Sequence, residues 1–134
     1  MMVDKQMAIL VVDDFASMRQ QVMEILREMK FKQIVEARDG HEAITVLEKT
    51  RIDFIISDWN MPNGDGMSLL RHVREHPVYK DVPFLMLTAV SDKKSVIEAV
   101  AAKVSNYVLK PFNAVTLEEK IRAIFGCTEP LWEK

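Results

Sequence analysis

Ile52-Asp53-Phe54-Ile55-Ile56-Ser57-Asp58-Trp59-Asn60-Met61-Pro62-Asn63-Gly64-Asp65-Gly66 begins as a short apolar run and halts at a carboxylate. Phe54 to Ser57 has the length and composition of a buried strand, and Pro62, Asn63, Gly64 and Gly66 beyond it are strong turn signals. Asp58 therefore stands where a strand ends. A buried strand cannot solvate a charge along its length, but its end can, so an acid at that boundary can meet a ligand while its backbone is held rigidly. Asp58 is the first candidate for chemistry.

The same pattern recurs on both sides of this stretch. Ala8 to Val12 is a β-branched apolar run that ends in Asp13 and Asp14. Ala16 to Met29 follows, with Met18, Val22, Ile25, Leu26 and Met29 at helical spacing and Arg19, Gln20, Glu24, Arg27 and Glu28 between them. Ile34 and Val35 mark a second strand, and Asp39-Gly40 breaks the chain before a helix over His41 to Lys49. Met67, Leu70 and Val73 mark a third helix, closed by Pro77. Phe84 to Leu87 is a fourth strand ending at Thr88. Ser91 or Asp92 can cap a helix carrying Val96, Ile97, Val100 and Ala101. Tyr107 to Leu109 is a fifth strand ending at Lys110-Pro111, and Thr116 to Phe125 a last helix with Gly126 suited to its C-terminal cap.

Strict alternation of strands and helices implies a parallel sheet with helices on both faces, since parallel neighbours need a right-handed crossover. The expected fold is a flavodoxin-like (βα)5 doubly wound sandwich of strand order 2-1-3-4-5; a half-Rossmann unit is the alternative. At 134 residues the chain fits one domain, with a core over 8–125 and a tail over 126–134. A composition 49% hydrophobic and 28% charged is globular, and no apolar run approaches the roughly 20 residues of a membrane helix. Met1 to Gln6 lacks a signal-peptide core, so a soluble, cytoplasmic protein is expected. The single cysteine, Cys127, excludes an internal disulfide, and a net charge of −2 argues against a surface devoted to nucleic acid.

In such a sheet every strand points the same way, and ligands bind beyond the C-terminal ends, at the switch between the first and third strands. Those ends are Asp13-Asp14, Asp58, Thr88 and Lys110. Two carboxylates about 5 Å apart repel by about 3 kcal/mol at an effective dielectric near 20. Lys110 can offset one charge, and a divalent cation is the natural remainder. Hard oxygen donors without histidine or cysteine favour Mg²⁺ or Mn²⁺ over zinc. With such an ion in place Asp58 can act as a nucleophile toward a phosphoryl group, Lys110 and the Thr88 hydroxyl facing its oxygens.

Asp13-Asp14, Asp58, Thr88 and Lys110-Pro111, in this order and setting, resemble the signature of a response-regulator receiver domain of two-component signalling. The starting run Val12-Asp13-Asp14-Phe15-Ala16-Ser17-Met18-Arg19, the loop from Ser57 to Gly66, Asn106 to Phe112 and Thr116 to Lys120 are similar to CheY-type chemotaxis regulators. The strand order proposed above is one that receiver proteins also illustrate, so fold and family are not independent readings. The resemblance implies a signalling protein, not an enzyme, phosphorylated on Asp58 by a sensor histidine kinase. It implies Mg²⁺ held by Asp13, Asp58 and the backbone carbonyl of Asn60, with Asp14 reaching the metal through water. It implies a cis Lys110-Pro111 bond, a switch in which Thr88 moves and Tyr107 turns inward, and an output surface on the fourth helix, fifth strand and fifth helix. The partners would be the kinase, the flagellar motor switch protein and a phosphatase, with no nucleic acid, no membrane and a monomeric chain. A phosphorelay carrier or a regulator with a non-flagellar target is the alternative.

Some positions depart from the family pattern. Lys103-Val104 stand where Gly-Ala is usual, so the fourth helix is expected to lose its left-handed cap and end differently. Val90 is apolar where motor-binding regulators often carry an acid, and Ala123 stands where another base is expected. Each site residue also has a plainer reading: Asp14 as a helix cap, Thr88 as a turn residue, Lys110 as a solvated lysine, Tyr107 as a strand aromatic. Their coincidence at consecutive strand ends favours the functional one. A haloacid-dehalogenase-type phosphatase would need a second acid where Asn60 stands, and a flavodoxin-like cofactor carrier would be repelled by Asp13-Asp14. His41, His72 and His76 read as surface residues, and Leu131 and Trp132 as a tail that docks on the body or on a partner.

Overall fold

The structure, a computed structural model, describes residues 3–61, 65–89 and 93–132. In chain order it runs β1 (Ala8–Val12), α1 (Ala16–Glu28), β2 (Gln33–Ala37), α2 (Gly40–Lys49), β3 (Phe54–Asp58), α3 (Gly66–Glu75), β4 (Phe84–Thr88), α4 (Lys93–Ala101), β5 (Asn106–Leu109) and α5 (Ala114–Phe125). All strand pairs are parallel and the sheet order is β2-β1-β3-β4-β5, the flavodoxin-like order expected. No helix among the described residues is long and apolar enough to cross a membrane.

Strand alternation divides the core in two. Ile9, Val11, Phe54, Ile56, Leu85 and Leu87 face one way and pack with Val22 and Leu26 of α1, with Met29 at its C-cap, and with Leu117 and Ile121 of α5. Leu10, Val12, Ile55, Phe84 and Met86 face the other and pack with Leu47 of α2, Leu69, Leu70 and Val73 of α3 and Ala99 of α4. Both faces of the central strands are buried, which is why they read as unbroken apolar runs rather than alternating ones.

The helix ends obey local chemistry. Asp39 and Asp65 cap α2 and α3 by accepting from the Glu42 and Ser68 N–H groups, and Asn113 caps α5 by accepting from that of Thr116. α5 thus starts two residues before the expected Thr116, because the Asn113 cap is the true signal. α3 stops before Pro77 with His76 extended, and Gly126 closes α5 at φ 63°. The turn residues Pro62, Asn63 and Gly64, the position of Val90, and the caps expected at Ser91 or Asp92 lie outside the described residues.

Two expectations need correcting. α4 keeps a left-handed cap: Lys103 adopts φ 65°, and its N–H and that of Val104 donate to the carbonyls of Val100 and Ala99. The geometry survives without glycine because those two bonds, together with Arg74 Nε donating to the Lys103 carbonyl at 2.9 Å, hold the turn. The plainer reading of Asp14 as a helix cap does not hold, since Phe15 occupies that position and no side chain caps α1. His72 and His76 are not free surface rings: both are half-buried, His76 stacks on Tyr79 at 3.7 Å, and His72 Nε2 lies 3.2 Å from the Tyr79 hydroxyl.

Beyond α5, Cys127, Leu131 and Trp132 pack against the body. Leu131 is buried, Trp132 packs against the α1/α5 core, and the Leu131 N–H donates to Glu118 Oε2 at 2.9 Å. Lys5 donates to the carbonyls of Met29 and Leu131, so the chain's first described turn and its last are joined.

Candidate functional site

Parallel register sets the level of each strand end. Val12 pairs with Ser57, Asp58 with Leu87 and Thr88 with Leu109, so Asp13 and Lys110 each lie one residue beyond the ladder, at one edge of the sheet. The backbone continues the ladder there: the N–H groups of Asp13, Trp59 and Lys110 donate to the carbonyls of Ala37, Leu87 and Thr88. Asp13, Asp58 and Lys110 are thus placed by the sheet itself, which is the rigidity that chemistry at a strand end needs.

Asp13, Asp14 and Asp58 each bring a carboxylate oxygen within 4.8 Å of the others. Asp13 is 1% exposed and Asp58 5%. Lys110 Nζ lies 2.9 Å from Asp58 Oδ1 and 3.6 Å from Asp13 Oδ2, joining the two buried acids. The Trp59 N–H also donates to Asp58 Oδ1 at 2.9 Å, and the Phe15 N–H to Asp13 Oδ1 at 3.0 Å. Burial pushes the Asp13 carboxyl above the usual carboxylate range; the Phe15 N–H opposes this, the Asp58 charge adds to it, Lys110 again opposes and Asp14 adds.

One lysine does not balance three acids. Asp13 Oδ2 and Asp14 Oδ1 are buried with no hydrogen-bond partner among the described residues. Orphaned, crowded acid oxygens are what a divalent ion satisfies, and an all-oxygen donor set suits a hard cation. The cluster therefore fits the ion expected from the sequence.

Thr88 ends β4 and is buried, and the Lys110-Pro111 bond is cis. Asn60 is exposed on the segment leaving β3. Tyr107, on β5, is half-buried against the α2/α3/α4 core, with Lys120 Nζ 5.8 Å from its ring centre. Asp13, Asp14, Asp58, Thr88 and Lys110 thus share the edge that the strand ends predicted, while Asn60 follows that edge and Tyr107 lies within β5, paired with Met86.

Two supporting residues stand outside the site expected from the sequence. Gly66 reads as a turn residue, but a Cβ there would sit 2.3 Å from the Asp58 carbonyl, so the glycine is required by the close approach of α3 to the end of β3. Arg19 reads as part of the polar face of α1, yet its Nη1 donates to the Asp13 carbonyl at 2.8 Å. Its position six residues after Asp13, one turn into the helix, is the signal that could have found it.

Comparison with known proteins agrees with this geometry. Residues 9–122 match the family model of the response regulator receiver domain. Chemotaxis protein CheY-3 of Vibrio cholerae is 44% identical over 122 residues, covering 91% of this chain and 94% of that protein. Chemotaxis protein CheY of Pseudomonas aeruginosa is 45% identical over 119 residues, covering 89% and 96%. Among solved structures, chemotaxis response regulator CheY4 of Vibrio cholerae superposes with a TM-score of 0.82 at 35% identity, covering 89% of this chain and 98% of that one.

Proposed function

The chain belongs to the response regulator receiver domain family and is CheY-like, and on that footing we propose that it is a single-domain chemotaxis regulator. In this reading Asp58 takes a phosphoryl group from a phosphohistidine on a sensor kinase, with Mg²⁺, and the phosphorylated chain binds the flagellar motor switch. The observation that carries the reading is the convergence of Asp13, Asp14 and Asp58 around Lys110 at one sheet edge, with two acid oxygens that accept no hydrogen bond among the described residues. Relatives named as chemotaxis proteins favour motor control over a phosphorelay carrier.

Two donors hold Asp58 Oδ1, so Oδ2 is the oxygen that attacks phosphorus. As the O–P bond forms, the P–N bond to the donor imidazole breaks and its electron pair leaves with the nitrogen. Lys110 faces the phosphoryl oxygens and offsets their charge, and the Thr88 hydroxyl donates to another of them. Asp13, Asp14, Asp58 and the Asn60 carbonyl would hold Mg²⁺, which supplies charge neutralisation to the acids and to the transferring group. The chain is a phosphoacceptor, not a turnover enzyme, and acts as a cytoplasmic monomer with a phosphatase ending its signal.

Movement of Thr88 toward the phosphoryl group opens room for Tyr107 to turn inward, which alters the surface of α4, β5 and α5. Exposed Ile97, Val100, Leu109 and Val115 on those elements support a partner surface there. The test is transfer of labelled phosphate from a chemotaxis histidine kinase to the wild type and to Asp58→Asn, followed by binding of each to the motor switch protein. Label on the wild type alone, with tightened switch binding, is expected; equal labelling of Asp58→Asn would refute the assignment.

A further inference from the structure

Arg19 lies at the site without a role in phosphoryl transfer. Its side chain is 12% exposed, its Nη1 donates to the Asp13 carbonyl at 2.8 Å, and its Nε donates to Glu36 Oε1 on β2 at 2.7 Å. We propose that Arg19, held by Glu36, is a positioning residue for the metal-binding acids: by fixing the Asp13 carbonyl it sets the peptide plane joining Asp13 to Asp14, and so aims both carboxylates. The proposal rests on the reading of the acid cluster as a Mg²⁺ site.

The geometry follows from planarity. The Asp13 carbonyl, the Asp14 N–H and both Cα atoms lie in one plane, so holding the carbonyl leaves that plane no free rotation. Asp13 is then fixed from three directions. Its N–H donates to the Ala37 carbonyl on β2, its carbonyl accepts from Arg19 on α1, and its Oδ1 accepts from the Phe15 N–H at the start of α1. Its remaining polar atom, Oδ2, is the buried one with no hydrogen bond, 3.6 Å from Lys110. Asp14, at the far end of the same plane, supplies the other such oxygen, Oδ1. Both orphaned oxygens thus hang from a peptide that Arg19 clamps, and Glu36 keeps the clamp from adding uncompensated positive charge beside the acids.

Charge and geometry make opposite predictions. Were charge dominant, loss of a guanidinium near the acids would strengthen binding of every divalent cation. A positioning role weakens binding, and selectively, because Mg²⁺ demands near-ideal octahedral geometry while Ca²⁺ tolerates irregular ligands. The experiment titrates Mg²⁺ and Ca²⁺ separately into the wild type, Arg19→Met and Arg19→Lys. Affinity is read by calorimetry and Trp59 emission, and urea unfolding without metal confirms that each variant folds.

Arg19→Met is expected to weaken Mg²⁺ binding roughly tenfold, the scale of lost outer-shell support, with Ca²⁺ binding moved far less. Arg19→Lys is expected to recover part of the loss, since one ammonium reaches the carbonyl but cannot fork to Glu36. Equal shifts for both ions, or none, would overturn the proposal. Should Arg19→Met not fold, Glu36→Ala releases the guanidinium at a half-exposed position and is scored by the same two criteria. Failure of the wild type to bind Mg²⁺ would instead remove the metal reading, and this inference with it.

Discussion

Asp13 carries a conflict that the fold imposes, since burial and two neighbouring carboxylates oppose its ionised form. Its folded-state pKa lies above the unfolded one, so in a window just above the ordinary carboxylate range the metal-free folded chain holds a proton that the unfolded chain does not. Stability from this group is therefore fully present below the unfolded pKa and is lost as pH rises through the folded one. Metal binding runs the other way, since the ligand must be ionised, and Mg²⁺ affinity climbs through the same window. Asp13→Asn is expected to stabilise the metal-free protein at neutral pH by about 1–3 kcal/mol, by removing like-charge repulsion, and to abolish stabilisation by Mg²⁺. Urea unfolding with and without Mg²⁺ measures both effects, and a destabilised metal-free variant would contradict them. Gly66→Ala tests the neighbouring contact: a methyl 2.3 Å from the Asp58 carbonyl must displace backbone, and a loss of about 1–3 kcal/mol is expected in the same assay.

At the level of elements, two helices end on lysines in the left-handed region, Lys30 at φ 73° after α1 and Lys103 at φ 65° after α4. A side chain in that conformation is strained where glycine is not, so Lys103→Gly is expected to stabilise by about 0.5–1 kcal/mol after allowing for unfolded-chain entropy. An unchanged or lowered midpoint in thermal unfolding would show that the lysine carries compensating contacts. These caps also mark what the sequence conceals. Apolar runs disclosed β1, β3 and β4 because burial on two faces demands them, and polar stops disclosed the site because only the ends of such buried strands can carry charge. Lys103 gave no sign of its left-handed turn, since the bonds from the Lys103 and Val104 N–H groups and the grip of Arg74 are backbone contacts that any side chain permits. Arg19 was hidden for a similar reason: helical periodicity says which face is polar, not which polar residue curls back to a carbonyl at the helix's own start.

Across the whole molecule, the segment beyond α5 belongs to the α1/α5 core. Leu131 is 3% exposed and tied through its backbone to Glu118 and Lys5. Its pattern, one leucine beside a proline, is too short to show periodicity, which is why the sequence left it open between docking on the body and docking on a partner. Leu131→Ala is expected to cost about 2–4 kcal/mol by urea unfolding, as for other buried leucines; an effect near zero would mean that the segment is dispensable. The larger unity is electrostatic: one edge of the sheet holds three acids against one lysine, an arrangement that calls for a second cation. Its most direct test is intact-mass analysis of the wild type after incubation with a small phosphodonor, in Mg²⁺ and in chelator. One phosphoryl adduct, mapped to Asp58 and formed only with Mg²⁺, is the predicted result; an adduct that forms equally in chelator, or maps to another residue, would contradict it.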